Sequence, residues 1–122
     1  MDPLKQPERG VCGLEFAREV ARLVDSNRAE DVVILDLRGL SSVTDFFVIG
    51  TGTSDRQMRA IIDQIKDYGE RVGQVRFGLS GYDTATWVLA DYIDVVVHLF
   101  DPQRRQYYDL ELLWGDAPRV DW

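Results

Sequence analysis

Four aspartates and one glycine-rich turn are the residues of this chain that could support catalysis. The aspartates lie in or beside apolar runs typical of strands: Asp36, Asp45, Asp91 and Asp94. The turn, at residues 50–54 (GTGTS), separates a predicted strand from a predicted helix. Carboxylates around Mg²⁺ beside a phosphate-binding turn would suit nucleotidyl transfer. However, no Asp-X-Asp pair lies on a predicted strand, and the turn contains no lysine. A structural turn is therefore favoured, with a Mg-nucleotide-binding enzyme that uses Asp36 and Asp45 as the alternative.

The remaining reactive side chains indicate no other enzyme chemistry. The single histidine, His98, lies inside a predicted strand, where a structural hydrogen-bonding role is more common than that of a base. The single cysteine, Cys12, stands at the head of an amphipathic helix and outside any nucleophile elbow. One histidine and one cysteine cannot form the usual zinc site. We therefore predict that the chain is not an enzyme and has no catalytic residue, metal or cofactor.

Aromatic and acidic side chains are concentrated in the last third of the chain. Residues 79–122 contain eight of the thirteen Phe, Trp and Tyr residues, and eight acids against three arginines. The whole chain has a net charge of −7, which argues against nucleic acid as the main ligand because phosphate binding depends on clustered Lys and Arg. An acidic, aromatic surface is instead typical of a docking site for a basic protein.

Hydrophobic periodicity predicts the elements that position these residues. Apolar spacings of three and four predict helices from Leu14 to about Ser26 and over residues 55–72. Strands are predicted at 31–37, 43–50, 74–79, 87–90 and 95–100, and a short apolar segment ends at Trp114. The order is α-β-β-α-β-β-β-α. It predicts an α/β (α+β) fold with a small mixed sheet of about five strands flanked by helices.

Length and composition bound the organisation of the chain. Its 122 residues suffice for a single domain, which we place at residues 13–116, between a flexible N-terminal tail (1–12) and a C-terminal tail (117–122). A lone cysteine fits a reducing compartment. No apolar run approaches the roughly 18–20 residues that span a bilayer, and the N-terminus lacks a signal-peptide core. The expected location is the cytoplasm.

Several segments in unbroken order resemble the ribosomal silencing factor family, also called Iojap-like proteins. The matching segments are residues 29–32 (AEDV), 35–42 (LDLRGLSS), 44–49 (TDFFVI), 51–54 (TGTS) with Arg56 and Gln57, 87–89 (WVL) with Asp91 and Tyr92, 94–100 (DVVVHLF), and Arg105 through Tyr108 to 110–114 (LELLW). The resemblance implies a nucleotidyltransferase-like fold without its catalytic apparatus. It also implies binding to the large ribosomal subunit through ribosomal protein L14, which blocks joining of the small subunit and represses translation. Organellar relatives act in large-subunit assembly.

The partner surface is predicted from strand alternation and aromatic anchors. Alternation places Trp87, Leu89 and Asp91 on one face of their strand, opposite Val88 and Ala90. The predicted contacts with L14 are Trp87, Leu89, Asp91, Tyr92, Asp94, His98, Phe100, Tyr108 and Leu113. In the alternative interpretation, Phe100, Leu110, Leu113 and Trp114 close the core. The same surface could form a homodimer in the free protein. A third hypothesis is an acidic scaffold or homodimer with no ribosomal link.

Two positions depart from the family pattern. Ser80 stands where the family usually has a glutamate, and Ile93 stands where it usually has a glycine. A β-branched residue disfavours a positive φ, so Ile93 predicts that the turn before Asp94 is built differently in this chain.

Overall fold

The computed structural model describes residues 12–122, and the six strands in this range form one mixed sheet. The elements are α1 (Gly13–Ser26), β1 (Glu30–Asp36), β2 (Phe46–Thr51), α2 (Asp55–Arg71), β3 (Gly78–Ser80), β4 (Trp87–Asp91), β5 (Val95–Phe100), α3 (Pro102–Tyr108), α4 (Leu110–Leu113) and β6 (Arg119–Val120). This architecture confirms the predicted α/β fold class.

The sheet has the strand order β3-β4-β5-β2-β1-β6. β2 and β5 form its parallel pair, in a register that sets Phe46 beside Val95 and Thr51 beside Phe100. The other neighbours are antiparallel. β2 and β5 lie at the centre, and all six residues of β5 are buried. A strand covered on both faces reads as a continuous apolar run, which is the pattern of residues 95–100.

The two long helices cover one face of the sheet. Phe16, Val20 and Val24 of α1 are fully buried, and they pack in one cluster with Ile61 and Ile65 of α2. The same cluster contains the strand residues whose side chains point toward the helices, among them Ile34, Val48, Val88, Ala90, Val97 and Leu99. The apolar spacing of three and four in each helix is thus explained by burial against the sheet.

Helix ends follow local capping chemistry. Ser54 Oγ accepts a hydrogen bond from the Gln57 N–H at 3.0 Å, as the capping-box pattern predicts, and α2 begins at the next residue. Asp101 caps α3 in the same way, accepting from the Arg104 N–H at 2.8 Å, with Pro102 in the first turn. Asp109 ends α3 with φ +44° and caps α4 through its side chain. This left-handed residue separates α3 from α4, and α4 lies within the short apolar segment predicted to end at Trp114.

The C-terminal segment differs from its prediction as a tail. Its residues Arg119 and Val120 form β6, which pairs with Leu35 and Ile34 of β1, so the sheet has six strands and not five. A two-residue strand is too short to show the period-two pattern from which strands are predicted. The predicted N-terminal tail lies outside the described residues except for Cys12.

The third predicted strand is shorter than expected. It covers Gly78–Ser80 and not residues 74–79, although the Phe77 N–H still donates to the Asp91 carbonyl at 2.7 Å.

The expectation that Ile93 changes how the turn between β4 and β5 is built is wrong. This residue adopts φ +73°, the left-handed conformation that favours glycine, so the turn does not avoid a positive φ. Tertiary pairing explains the outcome, because the Tyr92 N–H donates to the Val95 carbonyl at 2.8 Å and holds the turn closed. The strain of a β-branched residue is therefore built into this hairpin.

Candidate protein-docking face

The residues predicted to bind a partner centre on the side of the sheet that faces away from α1 and α2. We call this side, together with the exposed sides of α3 and α4, the docking face. Alternation along β4 is confirmed, because Val88 and Ala90 are buried in the helix-facing core while Trp87, Leu89 and Asp91 are half-buried on the docking face.

A stack of aromatic rings forms the centre of the docking face. The Trp87 ring lies 5.0 Å from that of Phe100 beneath it and 4.4 Å from that of Tyr108 on α3. Tyr107 meets Tyr108 edge-on at 5.0 Å and is 80% exposed. Tryptophan and tyrosine side chains that are held in place by packing often contribute most of the binding energy of a protein interface.

Three of the predicted contact residues are not at the surface. Phe100 and His98 are buried because they belong to β5, which the loop at 40–44, α4 and neighbouring strands cover. Tyr92 is buried on the opposite side, where its ring lies 5.0 Å from that of Phe16 in α1. The prediction of exposed side chains at these three positions is wrong, since sequence alternation cannot show how a strand is covered.

The other predicted residues divide between the docking face and the sheet end. Tyr108 and Leu113 are 43% and 72% exposed. Asp94 is exposed but lies at the end of the sheet, beside the start of α1. A Cβ added to Gly13 would be 3.4 Å from the Cβ of Asp94. The alternative that four late apolar residues close the core holds for Phe100 and Leu110, which are buried, and for Trp114, which packs edge-on against Phe47. It does not hold for Leu113.

A buried arginine fixes α3 and α4 to the sheet. Arg105, with a side chain only 12% exposed, donates from Nε and Nη2 to the Glu111 carboxylate, both at 3.0 Å. It also donates to Thr51 Oγ1 at 2.9 Å and to the Asp31 carbonyl at 2.8 Å. Arg105 thereby holds the pKa of Glu111 below its ordinary value. The clamp positions Tyr108, three residues further on, over Trp87.

His98 is held neutral beneath the aromatic stack. The Trp87 indole Nε1–H donates to His98 Nδ1 at 3.1 Å, so the proton of the neutral imidazole resides on Nε2. Burial lowers the pKa of His98 to about 3. Nε2 itself is buried and has no hydrogen-bond partner within the described chain. His98 is thus a structural histidine with one unused donor.

A groove next to the aromatic stack contains residues that sequence reasoning missed. It has a volume of about 480 Å³ and lies between the loop at 40–44 and strands β4 and β5. Leu40 and Val43 form its rim and are 45% and 81% exposed. The signal available in the sequence was two apolar residues that bracket Ser41 and Ser42 in a predicted polar turn. Exposed apolar residues in such a loop indicate a contact surface.

Two of the four aspartates of the catalytic alternative, Asp36 and Asp91, are engaged in local hydrogen bonds. Asp36 accepts from Arg38 Nε at 3.0 Å and Nη2 at 2.8 Å, and this arginine lowers the pKa of its carboxyl group. Asp91 Oδ1 accepts from the Ile93 N–H. Over residues 12–122 no three His, Cys, Asp or Glu side chains are grouped so that they could hold a metal ion.

The glycine-rich turn has a packing explanation. A Cβ on Gly52 would lie 2.2 Å from Met58 Cγ, so the turn needs a residue without a side chain. The carboxylates of Asp55 and Asp101 line the neighbouring cavity, and this arrangement disfavours an anion. Within residues 12–122, none of the helices has the length and apolar character that crossing a bilayer requires.

The chain is a small α/β protein, and its docking face has the aromatic rings and the apolar groove that suit a surface to binding another protein. The family described as "Ribosomal silencing factor during starvation" matches residues 13–122. This chain belongs to that ribosomal silencing factor family, which confirms the resemblance found in the sequence.

Individual relatives agree with the family match. The chain is 48% identical to the ribosomal silencing factor RsfS of Bacillus subtilis, over 83% of this chain and 86% of the relative. It is 30% identical, over 75% of its length and 42% of the relative, to a mouse protein named "Mitochondrial assembly of ribosomal large subunit protein 1". The crystal structure of a Chromobacterium violaceum protein superposes with a TM-score of 0.79, at 32% identity over 84% of this chain and 85% of that one.

Proposed function

We propose that this chain binds the large ribosomal subunit through ribosomal protein L14, using the docking face, and thereby blocks joining of the small subunit. Translation is repressed while the protein is bound. Membership of the ribosomal silencing factor family supports this role. The name of the mouse relative, which refers to the large ribosomal subunit, supports the choice of subunit.

One observation supports the docking face as the contact: it presents aromatic rings that pack on one another together with carboxylates. The Trp87 and Tyr108 rings lie 4.4 Å apart with their planes inclined at 42°, and Asp91 lies on the same face of β4 as Trp87. Asp101 and Asp109 stand at the two ends of α3, the helix that carries Tyr108. Lysines and arginines of a basic ribosomal protein would pair with these carboxylates while the rings are buried.

Sedimentation tests the proposal directly. The chain is mixed with purified large subunits and the complex is recovered in the 50S-sized fraction. Small subunits are then added at a Mg²⁺ concentration that normally gives complete ribosomes. We expect co-sedimentation with large subunits, and a shift from joined ribosomes to separate subunits as the chain is added. Joining that is unaffected at saturating chain would contradict the silencing role.

Two variants locate the contact on the docking face. Trp87→Ala should weaken binding about 30-fold, the loss expected for an aromatic anchor worth roughly 2 kcal/mol. Asp91→Lys should weaken binding and reduce its dependence on salt. The matched control is Asp67→Lys, which makes the same change in net charge at an exposed position on α2. If both docking-face variants fold and bind like the native chain, these residues lie outside the contact.

We also propose that the docking face forms a homodimer in the free protein. Tyr107, Leu112 and Leu113 are each more than 70% exposed on α3 and α4. Such a patch is usually covered by a partner. Dimer and subunit complex would use the same surface, so sedimentation velocity should show dimers that dissociate when large subunits or L14 are added. A dimer that remains intact on the subunit would contradict this model.

We further propose that the protein acts in the cytoplasm, on large subunits that have not yet joined small ones. The mouse relative's name also supports a second role for the same contact, in assembly of the large subunit. Depletion in cells distinguishes the two roles. Loss of silencing leaves mature large subunits and raises translation during starvation, whereas loss of assembly leads to large-subunit precursors.

A further inference from the structure

Two of the residues that line the apolar groove on the docking face carry an unpaired polar group. The apolar lining comprises Leu40, Val43, Phe47, Leu89, Val96 and Trp114. Thr44 and His98 also line the groove, and they are 7% and 4% exposed. Thr44 Oγ1 and His98 Nε2 are buried, and neither has a hydrogen-bond partner within residues 12–122.

Such groups need a specific reason to persist. Native proteins pair nearly all buried polar side-chain atoms, because an unpaired group loses its hydration without any replacement. Among the described residues, the same condition holds for one further side chain, Tyr92, whose hydroxyl lies in the core on the helix side of the sheet. Two of the three unpaired atoms therefore belong to residues that line one groove, next to the aromatic stack.

We propose that this groove binds an extended segment of the basic protein partner, whose backbone carbonyl accepts the His98 Nε2–H and whose next polar group pairs with the Thr44 hydroxyl. The inference rests on the proposed function and specifies how the partner is recognised. It makes His98 and Thr44 specificity-determining residues, in addition to the aromatic anchors.

The surroundings of the two groups define the occupant. The groove has an apolar rim at Leu40, Val43 and Leu89, which suits an apolar side chain of the segment. Asp91 also lines the groove, and its Oδ1 accepts from the Ile93 N–H, whereas Oδ2 has no hydrogen-bond partner within residues 12–122. A lysine or arginine of the segment can therefore pair there. The neutral donor, His98 Nε2–H, belongs to a groove that is also lined by Phe47, Val96 and Trp114. A neutral backbone carbonyl suits this donor better than a carboxylate, because a carboxylate would lose its hydration there. A chain of net charge −7 favours a basic segment over an acidic one.

The test removes each polar group with little change in shape. Thr44→Val replaces the hydroxyl by a methyl group. His98→Asn places an amide near the position of Nδ1, where its oxygen can still accept from Trp87, but provides no donor at the position of Nε2. The matched control is Tyr92→Phe, which removes the third unpaired group from the opposite side of the sheet. Affinity for purified large subunits and for purified L14 is measured by equilibrium titration, and stability by denaturant unfolding.

Opposite changes in stability and binding are expected for Thr44→Val. Replacing an unpaired buried hydroxyl by a methyl group leaves the fold as stable or makes it more stable. Binding should nevertheless weaken about tenfold, because the partner's polar group is left unpaired in the complex. His98→Asn should weaken binding by a similar factor. Tyr92→Phe should match Thr44→Val in stability and bind like the native chain.

The outcomes separate this inference from the proposed function. If native chain and Tyr92→Phe bind, and Thr44→Val binds within twofold of them, the inference is overturned and the proposed function stands. If the native chain does not bind large subunits or L14, both fail. Should Thr44→Val alter dimerisation but not subunit binding, the groove serves a second copy of this chain and the inference is again overturned. If His98→Asn does not fold, Thr44→Val decides alone.

Discussion

The Asp91 carboxylate and the Ile93 backbone are joined by a 2.7 Å hydrogen bond, from the Ile93 N–H to Asp91 Oδ1. This bond connects a residue of the docking face to a turn in which a β-branched residue has φ +73°. Ile93 is 55% exposed, so its side chain contributes little to the core. The turn is therefore held in its strained conformation by the pairing of β4 with β5 and by Asp91.

Ile93→Gly should stabilise the protein. Removing a β-branched side chain from the left-handed region recovers roughly 1–2 kcal/mol, and the greater freedom of glycine in the unfolded chain offsets part of that gain. We expect the free energy of unfolding to rise by about 1 kcal/mol in denaturant titration. Ile93→Val, which keeps the branched Cβ, should show no gain. Destabilisation by Ile93→Gly would mean that the side chain contributes packing that outweighs the strain.

Gly81→Ala should displace Trp87. Gly81 has φ +76°, and a Cβ there would lie 2.0 Å from the Trp87 carbonyl oxygen. Because the Trp87 carbonyl belongs to the backbone and a Cβ cannot rotate away from it, the start of β4 must move. We expect a loss of about 2–4 kcal/mol in unfolding free energy. Gly39→Ala is the matched control, since φ is +83° there but nothing lies within 4 Å. It should cost only about 1–2 kcal/mol. Equal losses in the two variants would show that the contact with Trp87 is unimportant.

Glu111→Gln should weaken the clamp between α4 and Arg105. The loss of charge-assisted hydrogen bonds predicts a decrease of about 1.5–3 kcal/mol in unfolding free energy at pH 7. Arg105 lowers the pKa of Glu111 in the folded chain, so this stabilisation is complete above the unfolded value of 4.5 and disappears as the pH falls below it. Acid should therefore destabilise Glu111→Gln less than the native chain. Glu70→Gln, which breaks an exposed pair with Lys66, should change little. Parallel pH profiles of native chain and Glu111→Gln would contradict the role of the clamp.

His98 should remain neutral well below the usual histidine range. Its pKa is lowered to about 3 by burial, and as the single histidine of the chain it gives one imidazole signal in NMR. The unfolded chain takes up a proton near pH 6.5 while the folded chain does not, so stability falls as the pH drops below 6.5 toward 3. The slope approaches about 1.4 kcal/mol per pH unit. His98→Asn should remove this slope between pH 6.5 and 5. An imidazole signal that titrates near 6.5 in folded protein would contradict the burial argument.

Local chemistry was readable from the sequence. The spacing of three and four predicted α1 and α2, the Ser54–Gln57 pattern predicted a capped helix start, and alternation placed Trp87, Leu89 and Asp91 on one face. These features depend on residues within one or two turns of each other or on the pleat of a single strand, so neighbouring positions suffice to determine them.

Non-local pairing decided the remainder. The parallel partnership of β2 with β5 joins segments almost fifty positions apart, and it buries His98 and Phe100 under the loop at 40–44 and α4. The antiparallel pairing of β4 with β5 closes the turn that holds Ile93 at a positive φ against its intrinsic preference. The groove likewise exists only after Leu40 and Val43 meet β4 and Trp114. Such burial and strain depend on contacts between distant segments, and a period along the chain carries no information about which segments meet.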